Sequence, residues 1–260
     1  MNRLFCVILF ALTLPLFGQE SLMRSEYELT PAKGIVFFEE FSFDLNLKTN
    51  GLSIGFNKGK ISKYYLTKYY NFDIAYVRDP KERQKSRYLQ GFNGISSYIF
   101  GKQNEFLNIK AGVGRKYYLS EKALKRGVAM GFTFEGGFSM GLLKPYYLIL
   151  EYTDELDQTF REEAYTAENA HLFLDENKIR DKAGFFNGWD KLQMVPGAYT
   201  NVAAHFSLGA YEKYIKAIEV GFQIDSYIKR IPMMIETETQ KNQFIFASFF
   251  VNVQLGKRWR

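Results

Sequence analysis

Through most of this chain apolar and polar residues take turns, and that two-residue period constrains the fold more than any other feature. Phe41, Phe43, Leu45 and Leu47 alternate with Ser42, Asp44, Asn46 and Lys48. Leu52, Ile54 and Phe56 alternate with Ser53, Gly55 and Asn57. The same period runs through 72–76, 107–113, 128–134, 202–208 and 218–224. It returns at the end of the chain, where Ile245, Ala247, Phe249, Val251, Val253 and Leu255 share one face. Successive side chains of a strand point to opposite faces, so each segment predicts a strand with one apolar and one polar side.

Two all-β architectures produce this pattern. A soluble sandwich turns its apolar faces inward and its polar faces to water. A transmembrane barrel turns apolar residues to lipid and small or polar ones to the lumen. Three features favour the barrel. The polar face is rich in Gly, Ser, Ala and Asn, with single charges among them. Several segments are long enough to cross a bilayer at a tilt. Tyr64, Tyr65, Tyr69, Tyr70, Tyr117, Tyr118, Tyr146, Tyr147 and Tyr152 crowd the strand ends, as an aromatic girdle would. No segment after the first twenty residues holds the long apolar run of a membrane helix.

The expected fold is therefore an antiparallel transmembrane β-barrel of about ten strands, or eight if two weaker segments do not span. Segments 58–63, 101–104, 141–145 and 211–214 read as short turns, and Thr49–Gly51 as a tight link. Segments 78–92, 119–126, 153–196 and 229–241 read as longer loops. Outer-membrane barrels have short periplasmic turns and longer external loops, which sets both termini in the periplasm. Segment 127–152 reads either as two strands or as one kinked strand, with Pro145 marking a break. Loop 153–196 is the most distinctive insertion. From Asp154 to Lys182 it is acidic and helix-friendly, so it is expected to be partly helical.

The N-terminus reads as an address. Arg3 precedes an apolar run over Leu4–Phe17, and cleavage is expected after Gly18. Residues 1–18 are then a signal peptide, 19–33 a periplasmic segment, and 34–260 the barrel. Cys6, the single cysteine, leaves with the leader, which rules out a disulfide framework or a cysteine zinc site. With only two histidines, no metal site is expected, and no cofactor motif is present. Asp154, Glu155 and Asp157 offer oxygen ligands without the spacing of an EF-hand loop. Charges of 34 Lys and Arg against 28 Asp and Glu leave +6, spread along the chain, which does not argue for nucleic acid.

The signal peptide, the strands and the terminal Phe249-Phe250 to Gly256-Lys257-Arg258-Trp259 together resemble a small outer-membrane barrel of the OmpA/OmpX-like kind. Trp259 resembles the C-terminal aromatic signal read by barrel-assembly machinery, although Arg260 follows it. Three stretches resemble a Bacteroidota family of outer-membrane β-barrel proteins. They are Thr49-Asn50-Gly51-Leu52 with Gly55-Phe56, Gly141-Leu142-Leu143-Lys144-Pro145-Tyr146-Tyr147, and Ala217-Ile218-Glu219-Val220-Gly221 with Lys229-Arg230-Ile231-Pro232-Met233. The resemblance covers nearly the whole mature chain. It implies outer-membrane location and no settled activity. Some small barrels of such envelopes are subunits of assembly or secretion complexes.

Candidate functional residues fall into four groups. Asp44, Asp73, Lys110, Glu135, His205, Glu219 and Asp225 lie on the expected lumenal face, as a polar pore or a packed ionic plug. Since Lys110 is the one clear cation there, Arg115 is expected to contribute. His205 and Ser207 share that face and resemble the catalytic pair of lipid A deacylase barrels. No acid that would orient the histidine is evident, and the chain is not expected to be an enzyme. Lys81, Arg83, Lys85 and Arg87 form a basic excess that suits lipopolysaccharide phosphates or a solvated hairpin tip. Phe185, Phe186 and Trp189 suit a partner contact or a lid over the barrel mouth. The expected role is structural or accessory, beside an envelope protein complex, with a narrow pore or transporter as the rival.

Overall fold

The computed structural model describes residues 37–88, 95–119, 128–153, 158–208, 212–236 and 241–260. The expected signal peptide and periplasmic segment lie outside the described residues. Thirteen strands form among the described ones. They are β1 Glu39–Lys48, β2 Gly51–Lys63, β3 Leu66–Val77, β4 Gln84–Tyr88, β5 Ile95–Ile99, β6 Asn104–Tyr118 and β7 Ala129–Pro145. Then follow β8 Tyr147–Thr153, β9 Gln158–Ala164, β10 Ile179–Lys182, β11 Gln193–Ser207, β12 Tyr214–Tyr227 and β13 Ile245–Trp259. Eight of them close into an antiparallel barrel in the order β1-β13-β12-β11-β7-β6-β3-β2.

The wall therefore has eight strands and not ten. Segments β5 and β8 carry strand chemistry but run five and seven residues, short of the roughly nine to eleven a tilted span needs. Segment 127–152 resolves into one long strand, β7, and the separate β8. Pro145 is the last residue of β7, opposite Asn104, where a missing N–H interrupts no further ladder. Neither 141–145 nor 101–104 turns between wall strands. The 58–63 turn is also corrected, because Lys58–Lys63 continue β2 and the chain reverses at Tyr64–Tyr65. At one end of the barrel lie both ends of the wall, the link 64–65, and the facing ends of β6 and β7 and of β11 and β12. We call this the terminal end. Segment 119–126, expected among the long loops, lies outside the described residues from 120 onward. At the opposite, loop end lie Thr49–Asn50 and the described parts of the long connections 78–103, 146–192 and 228–244.

The wall is apolar outside and polar inside. Phe41, Phe43, Leu45, Ile54, Phe56, Phe72, Ile74, Phe132, Phe134, Val220 and Val253 are all exposed. Ser42, Asp44, Ser53, Asn57, Asn71, Asp73, Asn252 and Gln254 are all buried. Phe43 faces Phe56 across one strand pair and Leu255 across the other, so the ladders carry this separation around the wall. A continuous apolar outer belt over strands of this length is the surface of a barrel that spans a bilayer. The girdle expectation holds for Tyr64 and Tyr70, which are exposed on the outside. Tyr69 is instead inside, because it follows the inward parity of Asn71.

At the loop end the lumen closes with an apolar plug. Ile231 and Met233, from the link between β12 and β13, pack on Ala75, Val77, Phe106, Leu143, Val195, Tyr227 and Phe246. The plug is tied down by backbone. The N–H groups of Gln103 and Asn104 donate to the Met233 carbonyl at 2.8 and 3.2 Å, and the Asn104 side chain donates to Pro232 O at 2.7 Å.

Beyond the plug stands a second, ordinary body. Strands β10-β8-β9 form a sheet and β4-β5 a hairpin. They share a core of Tyr98, Tyr146, Leu148, Leu150, Phe173 and Ile179. The expected helix in this insertion is reduced to one turn, Ala170–Phe173. Glu162, Glu163 and Ala164 have helix propensity, but they pair with Ile149, Leu148 and Tyr147 of β8. Tertiary pairing overrides a weak local preference.

Candidate functional site

All seven lumenal residues nominated from sequence lie on the inner face, whose buried polar groups form three tiers. Nearest the loop end, Lys110 Nζ lies 2.9 Å from Asp73 Oδ1 and donates to Gln223 Oε1 at 3.3 Å. Lys48 Nζ donates to the same glutamine oxygen at 3.1 Å, and Gln223 donates to Asp225 at 2.6 Å. In the middle tier Glu135 accepts hydrogen bonds from Tyr69 at 3.1 Å and Tyr199 at 2.9 Å. Gly112 and Gly114 make room for these rings, since a Cβ at either position would fall on Tyr199 or Tyr69. Asp44 accepts from Asn57 and, at 3.0 Å, from Gln254.

The third tier, at the terminal end, was missed by sequence reasoning. Glu40 lies 3.1 Å from Arg258 Nε and 3.3 Å from Lys116 Nζ, and all three are buried. Arg258 also donates to the Glu212 carbonyl at 3.0 Å. Arg115, the expected contributor, points outward and is exposed. Its neighbour Lys116 has the inward parity of Lys110.

The lumen is full. Lys110 and Arg258 are each 2% exposed, Asp73 3% and His205 0%, so no water-wide bore runs past them. Eight strands enclose a space just wide enough for side chains to fill.

His205 does have an acid. Its Nδ1 lies 2.8 Å from Glu219 Oε1, directly across the β11–β12 ladder, and Asn252 donates to the other glutamate oxygen at 2.9 Å. His205 Nε2 and Ser207 Oγ make no hydrogen bond among the described residues. Both side chains are entirely buried, so a lipid ester has no path to them.

The surface candidates separate. Lys85 pairs with Glu176 of the long insertion and lies over the Phe100 ring at 4.8 Å. Lys81 and Arg83 are exposed near the hairpin. The Arg87 backbone pairs with Ser96, and its side chain lies outside the described residues. Phe185, Phe186 and Trp189 form an edge-to-face cluster, with Phe186 84% exposed. The cluster does not close the mouth. It sits on Lys144, which donates to the Phe185 carbonyl at 2.7 Å and lies under the Phe185 ring. Lys144 follows the outward parity of Met140 and Leu142, and it pairs with Glu105 at 2.9 Å. The aromatic knob thus caps an ion pair on the outer flank of the wall at its loop end.

No protein-family model matches this chain, and no curated protein does. Among solved structures, the chain is similar to the N-terminal β-barrel domain of Pseudomonas aeruginosa OprF. The identity is 7% and the TM-score 0.35, over 85% of this chain and 96% of that one.

Proposed function

We propose that this protein is an outer-membrane β-barrel with a sealed lumen and a structural or accessory role. Its barrel would anchor the external body as a docking element for an envelope protein complex. The observation that carries the reading is the pairing of a filled interior with a separately cored body at the loop end. A conducting barrel needs a wet bore, and a lipid hydrolase needs an open histidine; here His205 and Ser207 serve the interior packing. Outer-membrane location rests on the apolar wall and on the leader-like N-terminus. The three stretches that resemble Bacteroidota barrels support the same location. Lys81 and Arg83 would meet lipopolysaccharide phosphates, and the Phe185, Phe186 and Trp189 knob would meet a neighbouring protein at the rim of the membrane.

The test is capture of a tagged, natively expressed chain in mild detergent, followed by identification of what accompanies it. The expected result is a stoichiometric partner whose retention falls with Phe186→Ala. A chain that emerges alone from several detergents, even after crosslinking, would overturn the accessory role. Steady conductance in a planar bilayer would instead establish the pore.

A further inference from the structure

The outer wall is apolar over its middle, and its exposed cations are densest at one place. On the terminal half of β2, β3 and β6, Lys58, Lys60, Lys68 and Arg115 all point outward and are exposed. Lys60 stands directly opposite Lys68, and Lys68 directly opposite Arg115. Like charges facing each other across a ladder destabilise a sheet. None of the four forms an ion pair among the described residues. The carboxylate opposite Lys60 is that of Glu39, which already accepts a hydrogen bond from Trp259 Nε1 at 3.1 Å. Three adjacent strands therefore present a row of cations that lacks a matching set of anions.

The row borders a depression of about 930 Å³ in the wall. Its other side is largely apolar, with Tyr70, Val113 and Phe134 exposed at 72%, 59% and 50%, although Glu39 and Glu135 also line the depression. The depression exists because the belt loses a side chain at Gly136, which faces outward beside Thr200. It is continuous with the apolar belt. A cationic rim above an apolar slot complements a molecule that carries a phosphate at one end and an acyl chain at the other.

We propose that this depression binds an anionic glycerophospholipid of the periplasmic leaflet. The phosphodiester is held by Lys60, Lys68 and Arg115, with Lys58 beside them, and an acyl chain lies past Val113 against Phe134 and Gly136. Arg and Lys are suited to this, because a guanidinium binds phosphate oxygens in a fork and an ammonium adds a compact charge. The long lysine stems lie along the wall while their heads reach the headgroup layer. The site rests on the membrane reading above, with the terminal end facing the periplasm.

The test uses the full chain in detergent micelles, titrated with phosphatidylglycerol or phosphatidylcholine and read by native mass spectrometry. The wild-type chain is expected to retain phosphatidylglycerol in preference to phosphatidylcholine. In Lys60→Gln/Lys68→Gln/Arg115→Gln the phosphatidylglycerol affinity is expected to fall by roughly tenfold or more. The control Lys216→Gln/Lys257→Gln removes two exposed cations elsewhere on the wall and is expected to change little. Gly136→Leu keeps every charge and fills the slot. A Cβ there meets Tyr199 O at an ordinary 3.5 Å, so the wall can accept the change, and binding should weaken several-fold through the acyl chain alone. Inorganic phosphate is expected not to compete.

Equal losses in the triple variant and the control would reduce the row to general electrostatics and overturn the site. Competition by inorganic phosphate would overturn the lipid as ligand. Vesicle flotation separates the two layers of the argument. A wild-type chain that fails to float with either lipid would contradict the membrane reading itself, whereas one that floats without preferring the anionic lipid would contradict only the site.

Discussion

The barrel and the body beyond its loop end use the same kind of strand with opposite polarity. In the barrel, Phe43 and Leu45 face outward and Asp44 is buried. In the external sheet, Leu148 and Leu150 are wholly buried, while Arg161 and Glu162 of the partner strand are not. The backbone rule is shared, since alternate residues lie on alternate faces. What differs is the solvent. The external body hides apolar surface from water and gains the usual hydrophobic stabilisation. The wall meets lipid, so its apolar face costs nothing to expose, and its interior must be stabilised by satisfied polar contacts instead. Specificity therefore sits in ionic and hydrogen-bonded tiers within the barrel and in apolar packing within the external sheet.

That contrast is open to attack, and the largest effect is expected in the lumen. Glu40→Ala leaves Arg258 and Lys116 buried with no shared carboxylate. A loss of about 3–5 kcal/mol is expected, because an uncompensated buried charge is the costly product. Denaturant unfolding in micelles, followed by gel mobility of folded and unfolded barrel, measures it.

In the external body, Leu148→Ala should cost about 2–5 kcal/mol through the cavity it leaves. The damage should stay local. Limited proteolysis is expected to cut the β8–β10 region while the barrel keeps its folded mobility. Loss of both together would make the two bodies one cooperative unit.

Charge placed on the two surfaces sharpens the comparison further. Val220→Arg puts a cation on the lipid-facing belt and should destabilise a bilayer-embedded barrel by about 2–4 kcal/mol if it lies near the midplane. Leu174→Arg places the same charge on the exposed surface of the external body, where a shift within about 0.5 kcal/mol is expected. Unfolding titrations of both variants in vesicles supply the comparison, and equal costs would erase the distinction.

Much of the wall was legible because contrast between neighbours is what alternation records. Every nominated lumenal residue sits between two outward residues. The three charges of the missed tier do not offer that contrast. Glu40 follows Glu39, Lys116 follows Arg115, and Arg258 follows Lys257. Where two successive residues are both charged, composition cannot say which one points inward. Counting in twos can, from Asp44 to Glu40, from Lys110 to Lys116, and from Gln254 to Arg258. The acid beside His205 was legible in the same way, since a hairpin centred on residue 212 sets position 205 opposite Glu219. The outward lysines 58 and 60 misled because charge on a lipid-facing parity looks like a turn. The external sheet was the least legible part. Its strands are short, one of them carries helix-favouring Glu and Ala, and the pairing that decides the outcome is with β8.

The inside-out wall itself is tested most directly by a cysteine scan along β1. The only cysteine of the chain is Cys6, so a Cys6→Ser background accepts a single spin label at each position from 41 to 47. In vesicles, accessibility to oxygen is expected to alternate, high at Phe43, Leu45 and Leu47 and low at Ser42, Asp44 and Asn46. A water-soluble relaxation agent should reach neither set near the middle of the strand. Positions 43 and 45 open to that agent, or an accessibility profile without a two-residue period, would contradict a sealed barrel in a bilayer.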